Sequence, residues 1–297
     1  MSQQGDRSIE SARAQADAAA AAASVQVRML RTRGEAVALV ESLAEVWRVP
    51  VEHPPIDLAT VIATIHGHGY VSGAFHDQEL VGGSLALLLG ERLDTLHSHI
   101  TGVRDDHARS GVGVALKLQQ RVWALEHGLS TVTWTFDPLI GRNARFNLHR
   151  LGARLESYLK DFYGPMTDGR NQGQPSDRAY IHWDLRRTVR DRDVVADRQP
   201  ATALLTMAAD GVPEVRTDRL HEAVDRRLSG TIELIIPGDI ETIRDADLEL
   251  ALAWRLALRD TLSPLLAAGW RVEGYRGSAA ERTGSYLLAR PTDDTQQ

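Results

Sequence analysis

Two different periods of apolar residues follow each other between residues 96 and 126. The alternation over residues 96–103 predicts a β-strand with one set of side chains on each face. One face would carry His97, His99 and Thr101, and the other would carry Leu96, Ser98, Ile100 and Gly102. Beyond Gly113 the apolar residues recur every three or four positions, which predicts a long amphipathic helix. The polar turn between them therefore lies where a strand ends and a helix begins.

The same patterns elsewhere predict a series of strands and helices. Strands are predicted at residues 25–30, 70–75, 80–89, 93–103, 131–136, 153–158, 179–185, 202–208, 231–236, 270–275 and 285–289. Helices are predicted at residues 35–46, 57–65, 114–125, 143–151 and 245–267. This series is typical of an α+β fold.

The turn at residues 110–113 has small residues at the positions that matter most for ligand binding. Gly111 and Gly113 place no side chain in front of the first backbone N–H groups of the following helix. Such a helix start binds anions, and phosphates above all, because these N–H groups have no partner within the helix. Arg109 could add a charge-assisted bond. A strand-to-helix turn that binds nothing has the same pattern, so both interpretations stay open.

The turn and the segments after it resemble the GNAT (Gcn5-related) N-acetyltransferases. In that family a turn of the form Gln/Arg-x-x-Gly-x-Gly/Ala follows the fourth strand. Here Gly111 and Gly113 match, Ala108 occupies the Gln/Arg position, and an arginine follows at 109. The run WTFDPL…NARFN…LG, with YG at 163–164 and PSDR at 175–178, is similar to a bacterial branch of GNAT acyltransferases with a C-terminal extension. The resemblance covers roughly residues 25 to 290 and implies a mixed sheet with flanking helices.

The resemblance implies acetyl-CoA or another acyl-CoA as a substrate of the chain. In the family the fourth and fifth strands part, the pantetheine arm pairs with the open edge, and the diphosphate lies on the turn. The residues implied in coenzyme binding are Ile100, Thr101, Gly102, Val103, Arg109, Ser110, Gly111, Val112, Gly113 and Asn143. The implied reaction is direct attack of a small-molecule amine, such as that of an amino acid, on the thioester of an acetyl or succinyl group. A weak or inactive acyl-CoA sensor is the alternative.

Histidines and tyrosines are the candidates for the general base and the general acid of this reaction. The family often takes the acid from a tyrosine whose position here is Leu148, so Tyr158 or Tyr163 is expected to protonate the thiolate instead. His97 or His99 would accept the proton of the amine, although both could be packed sheet residues. Candidates for binding a carboxylate of the acceptor or of the acyl group are Arg145, Arg178 and Arg255, each of which could instead form an ion pair.

The chain is too long for one minimal domain of this kind. Residues 1–24 are polar and then alanine-rich, and we expect a disordered or frayed helical leader. Residues 25–187 would form the acyl-CoA-binding domain, residues 186–200 a charged linker, and residues 200–292 a smaller, degenerate GNAT-like lobe. The loop at residues 160–177 is long enough to suggest a functional role at the acceptor site.

Composition narrows the class of protein further. The 297 residues include 34 basic and 40 acidic ones, a net charge of −6, so no electrostatic footprint for nucleic acid is expected. The sequence contains no cysteine, which excludes disulfides and zinc–thiolate sites, and it has no apolar run long enough to span a membrane. We expect a cytoplasmic enzyme with a small-molecule amine acceptor, no metal, and no nucleic-acid or membrane partner, and a homodimer is left open.

Overall fold

The computed structural model describes residues 3–90, 93–166, 173–186, 200–277 and 282–291. Among these residues the chain forms two compact units. Of the described residues, unit 1 comprises those up to Trp134 together with the short segment 184–186, and unit 2 comprises 135–166, 173–183, 200–277 and 282–291. The sequence placed the division in the segment 186–200, most of which lies outside the described residues. The structure divides the chain earlier, within a strand and directly after Trp134.

Unit 1 is a sheet with helices on both faces. Its elements are α1 (Gln3–Ala22), β1 (Gln26–Met29), α2 (Arg33–Trp47), α3 (Leu58–His66), β2 (Tyr70–His76), β3 (Glu79–Leu89), β4 (Thr95–Val103), α4 (Val112–Glu126) and the first part of β5 (Thr131–Phe136). The strands follow in the order β1-β2-β3-β4-β5. All neighbours pair antiparallel except β4 and β5, which are parallel, so the sheet is mixed.

The two faces of this sheet are covered by different helices. Leu39 and Leu43 of α2 and Val61 of α3 pack with strand residues such as Leu85 on one face. The opposite face packs against α4 through the buried residues Ala23, Val25, Ala74, Val81, Val112, Ala115 and Leu116. Local hydrogen bonds fix where α2 and α3 begin: Thr32 and Glu35 form a capping box for α2, and Asp57, the first residue of the predicted helix 57–65, caps α3.

Residues 3–22 form the packed helix α1, where the sequence favoured a disordered or frayed helical leader. Ile9, Ala12 and Ala16 are buried, and the helix packs along α4. Arg13 forms an ion pair of 2.6 Å with Glu126 at the far end of α4. Alanine has the highest helix propensity, which favours a helix in this segment. Its small side chain also lets α1 pack closely on another helix, although the sequence of α1 has no conspicuous apolar stripe.

Unit 2 contains an antiparallel strand pair and a separate five-stranded sheet. Its elements are α5 (Gly141–Arg145), β6 (Arg154–Leu159), β7 (Arg178–Asp184), β8 (Ala201–Met207), β9 (Pro213–Val215), α6 (Thr217–Val224), β10 (Thr231–Pro237), α7 (Ile240–Ala246), α8 (Leu248–Ala267), β11 (Arg271–Gly277) and β12 (Thr283–Ala289). Strands β6 and β7 pair with each other. The five-stranded sheet has the order β11-β12-β10-β8-β9, and its one parallel pair among the described residues is β8 with β10.

The α+β fold class with a mixed sheet and flanking helices is confirmed. From β1 to β7 the elements follow in the order that the GNAT resemblance implies. The C-terminal strands at residues 202–208, 231–236, 270–275 and 285–289 are all present within a few residues of their predicted bounds. The sequence missed β9, α6 and α7, which are short. The GNAT-like character of the C-terminal lobe stays a prediction.

Candidate functional site

Strand β4 contains a β-bulge at His99. Ser98 pairs with Ala86 of β3 and Ile100 pairs with the preceding residue, Leu85, so His99 is one residue more than the partner strand has. A bulge leaves its extra residue outside the ladder and bends the strand. The bulge lies directly before residues 100–103, the part of β4 that the resemblance assigns to coenzyme binding.

The bulge changes which side chains share a face of β4. The hydroxyl of Thr101 lies 2.8 Å from that of Ser84 and 3.5 Å from that of Ser98, so Thr101 shares a face with Ser98. Ile100 packs in the cluster formed with α2 and α3, and a Cβ added at Gly102 would meet side chains of α2. The predicted grouping of Thr101 with His97 and His99 is therefore wrong. A strict alternation of faces assumes a regular strand, and one extra residue shifts it by one position.

The parallel pairing of β4 with β5 is short. It joins Thr95 to Thr131, Leu96 to Val132 and His97 to Thr133. Strand β4 runs on to Val103, paired with β3 on its other side. Backbone N–H and C=O groups on an unpaired edge need other partners. The residues predicted to bind the pantetheine arm, Ile100–Val103, all lie beyond the last of these pairs.

The turn before α4 has two residues with a left-handed backbone. The φ of Arg109 is 67° and that of Gly111 is 98°. Gly111 is the N-cap of α4 and supplies no side-chain hydrogen bond to its first turn, while Ser110 donates to the carbonyl of His107 at 2.6 Å. A Cβ on Gly111 would lie 3.4 Å from Ala23. The start of α4 thus has the open N–H groups that suit an anion.

The cations near this turn differ in how far their charge is offset. Arg104 forms ion pairs with Glu79 and, at 3.0 Å, with Asp106, so two carboxylates offset it. Arg109 is exposed at the turn itself. The side chain of Val112 is buried in the core, which leaves only its backbone for coenzyme binding. Arg109 is therefore the better candidate for a phosphate contact.

His97 and His99 lie with their ring centroids 6.4 Å apart. Nδ1 of His97 lies 3.2 Å from the hydroxyl of Thr133. Burial, with smaller effects of His99 and Lys117, lowers the pKa of His97 to about 4, and burial lowers the pKa of His99 as well. A base with so low a pKa is a weak proton acceptor at neutral pH. His99, the more exposed of the two, is the better candidate for the predicted base.

Sequence reasoning missed a buried lysine beside this strand. Lys117 of α4 is 5% exposed, and its Nζ donates to Ser98 Oγ at 2.7 Å and lies 4.0 Å from the ring centre of Trp134. Burial lowers the pKa of Lys117 to about 7. The sequence signal is the spacing: Lys117 and Gln120 are three residues apart, so they lie on the same side of the helix.

In unit 2, Arg255 forms an internal ion pair. Its guanidinium donates to both carboxylate oxygens of Asp137, at 3.1 and 2.7 Å, and Nε lies 3.4 Å from Gln174 Oε1. Arg255 is only 2% exposed. Although burial favours the neutral acid, the charge of Arg255 holds the pKa of Asp137 below its usual value. The prediction that Arg255 binds a substrate carboxylate is corrected, because its donors are engaged within the unit.

Tyr158 is committed to a second buried carboxylate. Its hydroxyl donates to Asp177 at 2.6 Å, and Asp177 also accepts two hydrogen bonds from Arg259, at 2.8 and 2.6 Å. Burial and the adjacent negative charge raise the pKa of Tyr158 well above its ordinary value. Tyr158 therefore holds its proton firmly, which corrects its predicted role as the acid. Arg178 donates to the backbone carbonyl of Asp177 and is itself buried.

The other predicted residues of unit 2 are more accessible. Tyr163 is 46% exposed, and its hydroxyl lies 3.0 Å from that of Thr135. Arg145 is exposed and makes a long contact of 3.4 Å with the carbonyl of Gly277. Asn143 does not open its helix as predicted: α5 begins at Gly141, and the N–H of Asn143 donates to Ile140.

Two kinds of site are absent from the part of the chain that the structure describes. No helix there is both long enough and apolar enough to cross a membrane. Nor do three or more histidine, aspartate or glutamate side chains gather where they could hold a metal ion.

Comparisons with known proteins gave matches among solved structures. No protein-family model and no curated protein sequence matches the chain. A protein described as a GNAT-family acetyltransferase from Desulfovibrio desulfuricans is 17% identical, with a TM-score of 0.43 over 54% of this chain and 99% of that one. The ribosomal-protein-S18-alanine N-acetyltransferase of Escherichia coli is 13% identical, with a TM-score of 0.44 over 55% of this chain and 96% of that one. The diaminobutyrate acetyltransferase of Paenibacillus lautus, solved with its substrate and coenzyme A, is 13% identical, with a TM-score of 0.44 over 56% and 98%.

Proposed function

We propose that this chain is a GNAT-type N-acyltransferase that moves an acetyl or succinyl group from CoA to the amine of a small molecule such as an amino acid. The observation that carries the proposal lies within unit 1. A strand with a bulge at His99 and a short parallel pairing leads into a helix that begins at Gly111 without a capping side chain. Such a combination provides an open backbone edge and an anion site on consecutive elements.

The diphosphate of the coenzyme would lie on the N–H groups of residues 109–113. The helix dipole of α4 favours negative charge there, and the exposed side chain of Arg109 can donate to a phosphate oxygen. The pantetheine arm would run along the free edge of β4. Its amides would pair with backbone groups of residues 100–103, as an added strand pairs with a sheet edge.

The thioester carbonyl would lie beside the bulge. A backbone N–H that the bulge releases from the ladder can donate to the oxyanion that forms on attack, an effect typically worth about 3 kcal/mol. The attacking amine must be neutral, and an α-amino group has a pKa of about 8, so a weak base or a water molecule is sufficient. His99 is the side chain proposed for this step.

Thiol release is the direct test of the proposed reaction. The purified chain would be mixed with acetyl-CoA or succinyl-CoA and a panel of amino acids, and free thiol would be followed over time. Release that depends on both the acyl-CoA and one class of amine is expected. Absence of release with every acceptor, together with absence of CoA binding in calorimetry, would overturn the proposal.

A charge placed at the start of α4 tests the diphosphate site. Gly113→Glu adds a carboxylate that suits a helix start but repels phosphate, so we expect CoA affinity to fall by at least about tenfold while the fold is kept. Gly113→Gln, of equal size and no charge, is the matched control and should bind more tightly than Gly113→Glu. Equal CoA affinity of the two variants in calorimetry would place the diphosphate elsewhere.

A non-catalytic acyl-CoA sensor is the second candidate function. It is favoured by Leu148 at the position where the family often has its tyrosine, and by the commitment of the Tyr158 hydroxyl to Asp177. The two functions differ in one outcome. Tight CoA binding without thiol release from any acyl-CoA would support the sensor.

A further inference from the structure

Five polar side chains, four of them buried, form a closed hydrogen-bonded ring between α4 and strands β3 and β4. Nζ of Lys117 reaches Ser98 at 2.7 Å and Oε1 of Gln120 at 3.5 Å. Gln120 in turn lies 3.4 Å from Ser84, Ser84 lies 2.8 Å from Thr101, and Thr101 lies 3.5 Å from Ser98. Except for Thr101, which is partly buried, the members are at most 5% exposed.

Burying the polar groups of the ring costs desolvation free energy that apolar side chains packed at the same place would not. A buried ammonium group is stable only with compensating partners. Among the described residues no carboxylate lies within ion-pair distance of Lys117. The described contacts of its amine are with the Ser98 hydroxyl, the Gln120 amide and the ring of Trp134. A lysine in such a setting is a candidate for a functional role.

Two residues of the ring lie in β4, one on each side of the bulge. Ser98 immediately precedes His99, and Thr101 follows it by two residues. We propose that Lys117 is a positioning residue for the proposed transfer: through Ser98 it fixes the bulged stretch of β4 along which the thioester would lie. This inference rests on the proposed function for its catalytic part, but its structural part concerns unit 1 alone.

Protonation of Lys117 would change the direction of hydrogen bonds in the ring. An ammonium group has three donors and no acceptor, so Ser98 must accept from it and turn its own proton toward Thr101. A neutral amine has a lone pair and can accept from Ser98 instead. His97 of β4 interacts electrostatically with Lys117. The other titratable or charged groups considered on these neighbouring elements are His99 of β4, Arg121 of α4 and Tyr70 of β2, whose hydroxyl donates to the carbonyl of Leu116.

The pH at which the hydrogen bonds change direction shows whether Lys117 or a histidine is the group that titrates. Burial brings the pKa of Lys117 to about 7, whereas the pKa of His97 is lowered to about 4 and that of His99 is also lowered. Tyr70, whose pKa burial raises, keeps its proton at neutral pH. A transition near pH 7 in the amides of residues 98–101 would therefore report on the lysine.

The test compares Lys117→Met with Arg121→Met over pH 5.5–8.5. Arg121 is the matched control because it is also a buried cation of α4, but it donates to the carbonyl of Leu185 and to Gln15 rather than to β4. In wild type and Arg121→Met, the NMR amide signals of Ser98 and Thr101 should shift with a midpoint near pH 7. In Lys117→Met that midpoint should be missing. The same midpoint in all three proteins would overturn the proposal.

A second variant and a second readout cover the remaining outcomes. If Lys117→Met does not fold, Ser98→Ala keeps the lysine but removes its direct hydrogen bond to β4, and the amide of residue 98 should then lose its transition. With acetyl-CoA, Lys117→Met should lower kcat by roughly tenfold and change KM by less than about twofold, since a misplaced strand disturbs the transition state more than binding. Unchanged kcat would contradict the catalytic part. If wild type releases no thiol, the proposed function fails while the NMR comparison still decides whether Lys117 holds the strand.

Discussion

At the scale of single residues, burial sets the charge of the nitrogen bases beside β4. Both Lys117 and His97 are pushed toward their neutral forms, because water no longer solvates their cations. For His97 the effect reduces basicity below what a general base needs. For Lys117 it brings the pKa to about 7, into the range where a modest change in pH alters the charge.

Lys117→Met is expected to flatten the pH dependence of stability between about pH 7 and pH 10. The lysine of the unfolded chain binds its proton below its ordinary pKa of 10.5, but burial lowers the pKa in the folded protein to about 7. Between these values the unfolded state holds more protons, so the free energy of unfolding of the wild type rises with pH, by an amount on the order of a few kcal/mol. Urea unfolding of both proteins at several pH values measures the difference. Parallel pH profiles would show that the lysine is not perturbed.

At the scale of elements, helix α1 packs against α4 mainly through small alanine side chains, which allow a close approach, and not through large apolar ones. Ala12 and Ala16 are almost fully buried, whereas Ala18 on the same helix is exposed. Close packing of two helices through alanine leaves no room for larger side chains. Larger side chains should therefore be tolerated on the exposed side of α1 but not on the side that packs against α4.

Ala12→Leu is expected to destabilise the protein by about 1–3 kcal/mol, because it forces α1 away from α4. Ala18→Leu adds the same group at an exposed position and should change stability by less than about 0.5 kcal/mol. Thermal or urea unfolding followed by circular dichroism compares the two. If both variants are equally stable, α1 does not pack against α4 as described.

Local features of the elements could be read from the sequence, whereas features that need a partner strand or a distant residue could not. The caps of α2 and α3 involve residues three apart, and strand bounds follow from local alternation. The bulge at His99 depends on register with β3, which no local pattern reveals. The partner of Arg255 lies 118 residues away, so its engagement with Asp137 was beyond sequence reasoning. The Gly111 turn was predicted because its chemistry lies within five residues.

At the scale of the whole molecule, the predicted site residues are divided between two units. The coenzyme turn and the histidines belong to unit 1, and the predicted acid and acceptor-binding residues belong to unit 2. Unit 2 has its own buried charge pairs, Asp137 with Arg255 and Asp177 with Arg259. Each unit thus has internal features that can be perturbed separately.

Arg255→Met is expected to destabilise unit 2 by about 3–5 kcal/mol, since it leaves the Asp137 carboxylate buried without its counter-ion. The double variant with Asp137→Asn should recover part of the loss. Hydrogen exchange should show faster opening in β6, β7 and α8, and a smaller change in α2 and β2. Acceleration confined to unit 1 would contradict the assigned ion pair.

The docking of α1 matters to anyone who shortens this polypeptide for crystallisation. The alanine-rich start invites removal as low-complexity sequence. Cutting it away would uncover the flank of α4 on which Ile9, Ala12 and Ala16 rest, and would remove the ion pair at Glu126. An apolar helix surface that becomes exposed in this way can pack against the same surface of a second molecule. The trimmed product should therefore self-associate more than the full chain.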